Sequence, residues 1–181
     1  MTVLATAGHV DHGKSTLVNF LTNQETDRLA EEKNRGLTIN LGYTYFEYQK
    51  RAISIVDVPG HQDYFKNTIA GFSNVNGVLF CIDSVQGWSR QSEEHFKSIV
   101  NLGIRDILVI FTKTDLLEET LKKDSIIKKF LNIKNLNFQI TEFSSKTSNK
   151  EDFHKEINDF FKDTSADEEG TVWVDRTFSI D

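Results

Sequence analysis

One cysteine in 181 residues excludes an internal disulfide and fits a reducing compartment, the cytoplasm. That residue, Cys81, lies in the apolar run Val78-Leu79-Phe80-Cys81-Ile82 and reads as a buried structural thiol. Apolar runs long enough to span a bilayer are missing, and no secretory leader is expected ahead of Val3, so no membrane partner is expected either. Basic charge is also scarce: 21 Lys and Arg stand against 27 Asp and Glu, a formal net charge of -6. That balance argues against a domain that binds nucleic acid strongly on its own. Lys122, Lys123, Lys128 and Lys129 are the one notable basic group. They interleave with Leu121, Ile126, Ile127, Phe130 and Leu131, which reads as the solvated face of an amphipathic helix.

What the chain does have is concentrated near its start. Gly8-His9-Val10-Asp11-His12-Gly13-Lys14-Ser15 fits G-x-x-x-x-G-K-[ST], between an apolar strand (Val3 to Ala7) and a helix opening at Ser15-Thr16. Glycines let such a loop turn backbone N–H groups inward around phosphate oxygens, and the helix N-terminus adds partial positive charge. Gly8, His9, Val10, Asp11, His12, Gly13, Lys14, Ser15 and Thr16 are therefore candidate phosphate contacts. Lys14 is expected at the β- and γ-phosphates and Ser15 on Mg²⁺. His9, Asp11 and His12 also permit a His/carboxylate metal site, the weaker reading because the loop backbone is already committed to phosphate.

Four later segments narrow the ligand. Asp57-Val58-Pro59-Gly60-His61 follows the apolar run Ala52 to Val56. An Asp there can hold Mg²⁺ through water, and the Gly60 N–H can approach a γ-phosphate. Thr112-Lys113-Thr114-Asp115 follows Ile107 to Phe111, and the Asp115 carboxylate can accept from guanine N1–H and the 2-amino group. Adenine offers neither donor in that pattern, so it would leave the carboxylate unpaired. Ser144-Ser145-Lys146 follows Gln139 to Phe143 and can reach the base O6 through backbone N–H. Arg35-Gly36-Leu37-Thr38-Ile39 lies in a polar stretch, where Thr38 can close over the γ-phosphate and complete the Mg²⁺ shell with Ser15 and Asp57. Each has a plainer alternative, such as a strand exit, a helix cap or a turn. Their common order, each just past an apolar strand, fits ligand binding beyond the carboxyl ends of a parallel sheet.

The ordered set GHVDHGKS, RGLTI, DVPGH, TKTD and SSK resembles a translational GTPase. Finer features resemble the selenocysteine-specific elongation factors, the SelB type: Gly36-Leu37-Thr38-Ile39-Asn40-Leu41-Gly42-Tyr43, Lys66-Asn67-Thr68-Ile69-Ala70-Gly71, Gly87-Trp88 leading to Gln91-Ser92-Glu93-Glu94-His95, and Thr112 where Asn usually precedes the Lys. Ser89-Arg90 departs from the family, which usually has Pro in that loop. The resemblance implies Mg²⁺-dependent hydrolysis of GTP to GDP by an attacking water, slow without the ribosome. Catalysis would fall to Lys14, Thr38 and His61, with His61 orienting the water and Val10 and Leu37 forming an apolar gate beside it. It implies the ribosome as partner, and selenocysteinyl-tRNA through domains outside this chain. Two other readings stay open. Another translational GTPase is one; Thr112 and Leu41-Gly42-Tyr43 argue against it. A nucleotide-dependent interaction module that needs no hydrolysis is the other; Thr38 and His61 argue against that.

The apolar runs alternate between strand and helix. Strands are expected near 3–7, 43–47, 52–57, 77–83, 107–112 and 139–143, and helices near 14–21, 63–72, 91–102, 117–131 and 150–161. This predicts a P-loop GTPase fold of the α/β class: a mostly parallel six-stranded sheet, helices on both faces and one antiparallel edge strand. Residues 1–165 are expected to form the GTP-binding domain. Residues 162–170 are polar and acidic, so 166–181 read as linker followed by a strand, Val172 to Ile180; the resemblance to the SelB type implies that this strand opens a β-barrel second domain. Residues 22–42 are expected to change with nucleotide state.

Overall fold

The computed structural model describes residues 2–24, 37–116 and 123–162. Its six strands are β1 (Thr2–Ala7), β2 (Gly42–Tyr48), β3 (Arg51–Asp57), β4 (Gly77–Asp83), β5 (Asp106–Thr112) and β6 (Asn137–Phe143). They form one sheet in the order β2-β3-β1-β4-β5-β6, parallel throughout except for the β2–β3 pair. Gln49 and Lys50 join that pair with φ of 50° and 66°, the two left-handed residues that a tight hairpin needs. The expected six-stranded α/β architecture is therefore present, with β2 as the antiparallel edge.

The helices are α1 (Lys14–Thr22), α2 (Phe65–Phe72), α3 (Arg90–Asn101), α4 (Lys123–Leu131) and α5 (Lys150–Phe161). One starts later than expected: a 3₁₀ turn, Gln62–Tyr64, precedes α2, which was expected from 63. Another 3₁₀ turn, Thr114–Leu116, comes just before the helix expected over 117–131, of which Lys123–Leu131 is described. Residues 117–122 of that helix, residues 25–36 with Arg35 and Gly36, and the linker and terminal strand beyond residue 162 lie outside the described residues. Ser89, in the loop that departs from the family, caps α3: its hydroxyl accepts from the Ser92 N–H at 3.1 Å. A serine at an N-cap satisfies an orphan helix donor.

Alternation along the buried strands divides the core by face. Val78, Phe80 and Ile82 of β4 pack with Phe72 of α2, Phe96 and Ile99 of α3, and Ile126 and Phe130 of α4. Leu79 and Cys81 face the other way, onto Leu17, Val18 and Leu21 of α1 and Phe153, Ile157 and Phe161 of α5. Helices thus cover both faces. Lys14, Leu17, Val18 and Leu21 are the buried residues of α1, one stripe at helical spacing. Cys81 is fully buried, and burial pushes its thiol up to about 12, as a structural cysteine requires. Among the described residues, no helix is long and apolar enough to cross a membrane.

Phe161, fully buried at the end of α5, presses its ring edge onto Gly77 at the start of β4, and its carbonyl accepts from the Arg51 guanidinium at 2.8 Å. Phe161→Ala removes that ring from a close-packed corner. It should lower unfolding free energy by about 3–5 kcal/mol, read as a lower urea midpoint with an unchanged slope. A loss near zero would mean the corner collapses without cost.

Candidate functional site

The carboxyl ends of β1, β3, β4 and β5 open on the same edge of the sheet, and the candidate residues gather there. Gly13, with φ of 79°, ends the first loop, and α1 begins at Lys14. A cavity of about 540 Å³ lies over the loop, lined by Val10, Asp11, Gly13, Lys14, Ser15, Thr16, Leu37, Thr38, Gly60, Gln86 and Lys113. Nine of these come from the candidate set; Leu37 was expected as part of the gate, and only Gln86 was not anticipated.

The loop is braced from several sides. The Lys14 ammonium donates to the carbonyls of Gly8 at 3.1 Å and His9 at 2.8 Å. Thr112 Oγ1 donates to the His12 carbonyl at 2.9 Å, so the residue at the end of β5 ties the two loops together. Gly8 lies against the Cys81 carbonyl, too close for any Cβ. A Cβ on Gly60 would stand 2.5 Å from Lys14 Nζ and 2.7 Å from the Val10 amide nitrogen. Glycine is thus the residue that lets the β3 exit close over the loop.

Two of the three candidate Mg²⁺ ligands meet directly, and the third, Asp57, is held at the end of β3. The Ser15 and Thr38 hydroxyls are 3.0 Å apart, although 23 positions separate them in sequence. Asn67 of α2 secures the segment after Thr38 by donating to the Ile39 carbonyl at 2.9 Å. Asp57 is fully buried and accepts from Thr6 Oγ1 at 2.8 Å, while the same Thr6 oxygen accepts from the Val58 N–H at 3.0 Å. Two hydroxyls and a carboxylate beside a phosphate loop suit Mg²⁺, which takes one or two carboxylates and completes its shell with phosphate and water. Among the described residues, no group of three or more His, Cys, Asp or Glu is arranged to hold a metal ion, so the His9/Asp11/His12 reading gains no support.

The base-side candidates form a second cluster. Lys146 Nζ pairs with Asp115 Oδ2 at 3.0 Å, and the Lys146 N–H donates to Ser144 Oγ at 3.2 Å. The Lys146 ammonium and then the Ser144 hydroxyl hold the Asp115 carboxyl below its ordinary range. Ser144 is buried and Ser145 exposed. His61 is not drawn into the cavity. Its Nδ1 accepts from the Asp63 N–H at 3.2 Å, capping the 3₁₀ turn.

Three residues around this site, besides Gln86, carried no role in the sequence reading. His95 Nδ1, from α3, accepts from the Gly8 N–H at 3.1 Å. Gln91, one turn earlier on α3, meets the His9 ring and reaches the Val10 N–H at 3.4 Å. Asp83 at the end of β4 pairs with Lys113 at 2.7 Å. The first two stand in the Gln91-to-His95 run that marked the family resemblance, but nothing in the run itself says that its polar side chains turn inward.

The family profile described as "Elongation factor Tu GTP binding domain" matches residues 1–168. The chain belongs to that family. Among curated proteins it is similar to the selenocysteine-specific elongation factors of Desulfomicrobium baculatum, 44% identical over 118 residues, and Escherichia coli, 40% identical over 118 residues. Each match covers 65% of this chain and 19% of the relative, so the chain spans about a fifth of the length of those proteins. Among solved structures it is similar to a bacterial selenocysteine-specific elongation factor EF-Sec, at 36% identity and TM-score 0.81, covering 90% of this chain and 29% of that one. It is also similar to SelB of Methanococcus maripaludis in complex with the GTP analogue GppNHp, at 28% identity and TM-score 0.75, covering 91% and 34%.

His12 and His95 make the site acid-sensitive. Burial first, then the charge of His9, lowers His12 from its ordinary 6.5 to about 4; burial first, then Lys14, lowers His95 from 6.5 to about 3. Both fold as neutral rings. Below pH 6.5 the unfolded chain takes up protons that the folded chain refuses, so stability falls with pH until the folded values are reached. Between pH 6.5 and 5 each should cost up to about 2 kcal/mol. Urea unfolding at the two pH values measures the sum, and His95→Gln, which keeps an acceptor, should remove about half of it.

Proposed function

We propose that this domain binds and hydrolyses GTP, with Mg²⁺, within a factor that delivers selenocysteinyl-tRNA to the ribosome in the cytoplasm. The observation that carries the reading is the meeting of Ser15, Thr38 and Gly60 around one loop: the hydroxyls 3.0 Å apart, and Gly60 against Lys14. That arrangement supports the reading, because a γ-phosphate with its counter-ion would stand between these groups. The relatives' names support the delivery role, and the formal net charge of -6 agrees with tRNA being held mainly by domains beyond residues 1–165. Residues 166–181 would then be the linker and the first strand of a second, β-barrel domain.

Catalysis in such a site is chiefly positioning and charge stabilisation. Lys14 would neutralise charge developing on the β–γ bridge, and the N–H groups of Gly13, Lys14, Ser15 and Gly60 would take the remaining phosphate oxygens. Ser15, Thr38 and Asp57 would hold Mg²⁺, which would supply charge neutralisation to the phosphates when bound. His61 would leave its cap on Asp63 to orient the attacking water, and the ribosome would favour that exchange. Its engagement with Asp63 also gives substance to the reading in which binding alone matters. His61→Ala separates the two. Single-turnover phosphate release with ribosomes should fall by roughly 100-fold or more, with GTP affinity nearly unchanged. Unchanged release would favour the binding module.

Thr112, Lys113, Asp115, Ser144, Ser145 and Lys146 would read the base, Asp115 accepting from N1–H and the 2-amino group. Xanthine keeps N1–H and presents a carbonyl in place of the amine, which an amide can satisfy. Asp115→Asn should therefore weaken GTP by roughly 10–100-fold and strengthen XTP in competition titrations. Retention of the wild-type preference would remove Asp115 from base recognition.

A further inference from the structure

Asp83 belongs to neither the phosphate loop nor the proposed base readers, yet it is paired with one of them, Lys113. Asp83 is the last residue of β4 and is 1% exposed. Its Oδ1 accepts from the N–H groups of Val85 at 2.7 Å and Gln86 at 3.1 Å, which folds the loop after β4 so that Gln86 joins the cavity wall. Its Oδ2 takes the Lys113 ammonium at 2.7 Å. Lys113 also lines the cavity and has φ of 56°, a left-handed conformation that a lysine holds only when its surroundings fix it. The residue before it, Thr112, is the one hydrogen-bonded to the phosphate loop at His12, and the Ser84 N–H donates to the Thr112 carbonyl at 2.9 Å. Two residues after Lys113 stands Asp115, the candidate base reader.

We propose that Asp83 is a positioning residue for guanine-nucleotide binding: it anchors Lys113 and so sets the spacing between the phosphate and base halves of the pocket. The proposal rests on the reading of the cavity as a GTP site. Burial opposes the charge on Asp83, but the Lys113 ammonium and the two amide donors outweigh it and keep the carboxyl below its ordinary range. A buried carboxylate that has lost its cation is costly, so the anchor works in both directions.

Asp83→Asn is the discriminating variant. The amide keeps an oxygen for the Val85 and Gln86 N–H groups but turns an NH₂ donor toward the Lys113 ammonium, so the turn is retained and the anchor is lost. GDP and GTP affinities should both fall roughly tenfold, by the same factor, because Lys113 stands on the base side. Lys113→Met should weaken both nucleotides as well, and Asp83→Asn added to Lys113→Met should change affinity less than about twofold further. A merely structural Asp83 would cost as much in the Lys113→Met background as in the wild type, and that additivity would overturn the proposal. So would unchanged affinity in the single variant. If Asp83→Asn unfolds the domain, Asp83→Glu takes its place; it keeps the charge, and wild-type-like affinity there together with loss in Lys113→Met would also overturn the fixed-spacing claim. Failure of the wild-type domain to bind GDP or GTP in the same titration would instead remove the GTP-site reading itself.

Discussion

A loop that keeps N–H groups for a ligand can use few of them to hold itself in shape. The consequence runs through this structure: the loop from Gly8 to Ser15 is held by its carbonyls and by side chains from distant elements. Lys14 spans the carbonyls of Gly8 and His9, and Thr112 reaches the carbonyl of His12 across 100 positions of sequence. The one inner donor secured by a side chain at ordinary distance is the Gly8 N–H, held by His95 at the loop's first residue. Each support arrives from the end of a parallel strand or from the helix that follows one. The parallel order β3-β1-β4-β5 is therefore the requirement beneath the site, and the two apolar layers exist to keep those strand ends in register.

The same need explains the aromatic packing behind the loop. Trp88 stacks on Phe80 at 5.5 Å between ring centres, and Phe96 and Phe130 close around both at 5.8 to 6.2 Å. These rings fix α3 against β4, and α3 carries Gln91 and His95. The Trp88 indole N–H donates to Glu93 at 2.9 Å, and Lys129 meets the same carboxylate at 2.9 Å while lying over the indole ring. Two lysines of the basic group are thus committed within the fold, Lys129 here and Lys123 on Glu142, which a reading as solvated face had not distinguished.

Elements that announce themselves by local pattern were legible from residues alone. Buried parallel strands are continuous apolar runs, so β4 and β5 agree with expectation to within a residue, and Gly-Lys-Ser after β1 marks the start of α1. The loop motifs were legible because each follows such a run directly. What could not be read was pairing across the sheet. Nothing local tells that Asp83 faces Lys113, that His95 turns inward to Gly8, or that Gln86 borders the cavity, because those choices are made by the register of β4 against β5 and the rotation of α3. His61 shows the converse. The family resemblance implied a side chain acting on water, and in the structure its Nδ1 accepts from the nearby Asp63 N–H, the part of a polar residue at a helix start.

The two halves of the pocket are held with unequal firmness, and burial is the reason. Lys146 is 71% exposed in its pair with Asp115, so water and salt compete for it and the contact contributes little by itself. In the pair between Lys113 and Asp83 the carboxylate is almost wholly covered, so a lost partner leaves a charge that water cannot reach. On the phosphate side the supports are buried hydrogen bonds from His95 and Thr112. Contacts that must be exchanged for a ligand thus stand at the surface, where exchange is cheap. Contacts that define the shape of the pocket stand inside, where breaking them costs far more than forming them yields. On the proposed reading, that division would let the site remain organised while Asp115 trades its lysine for a base.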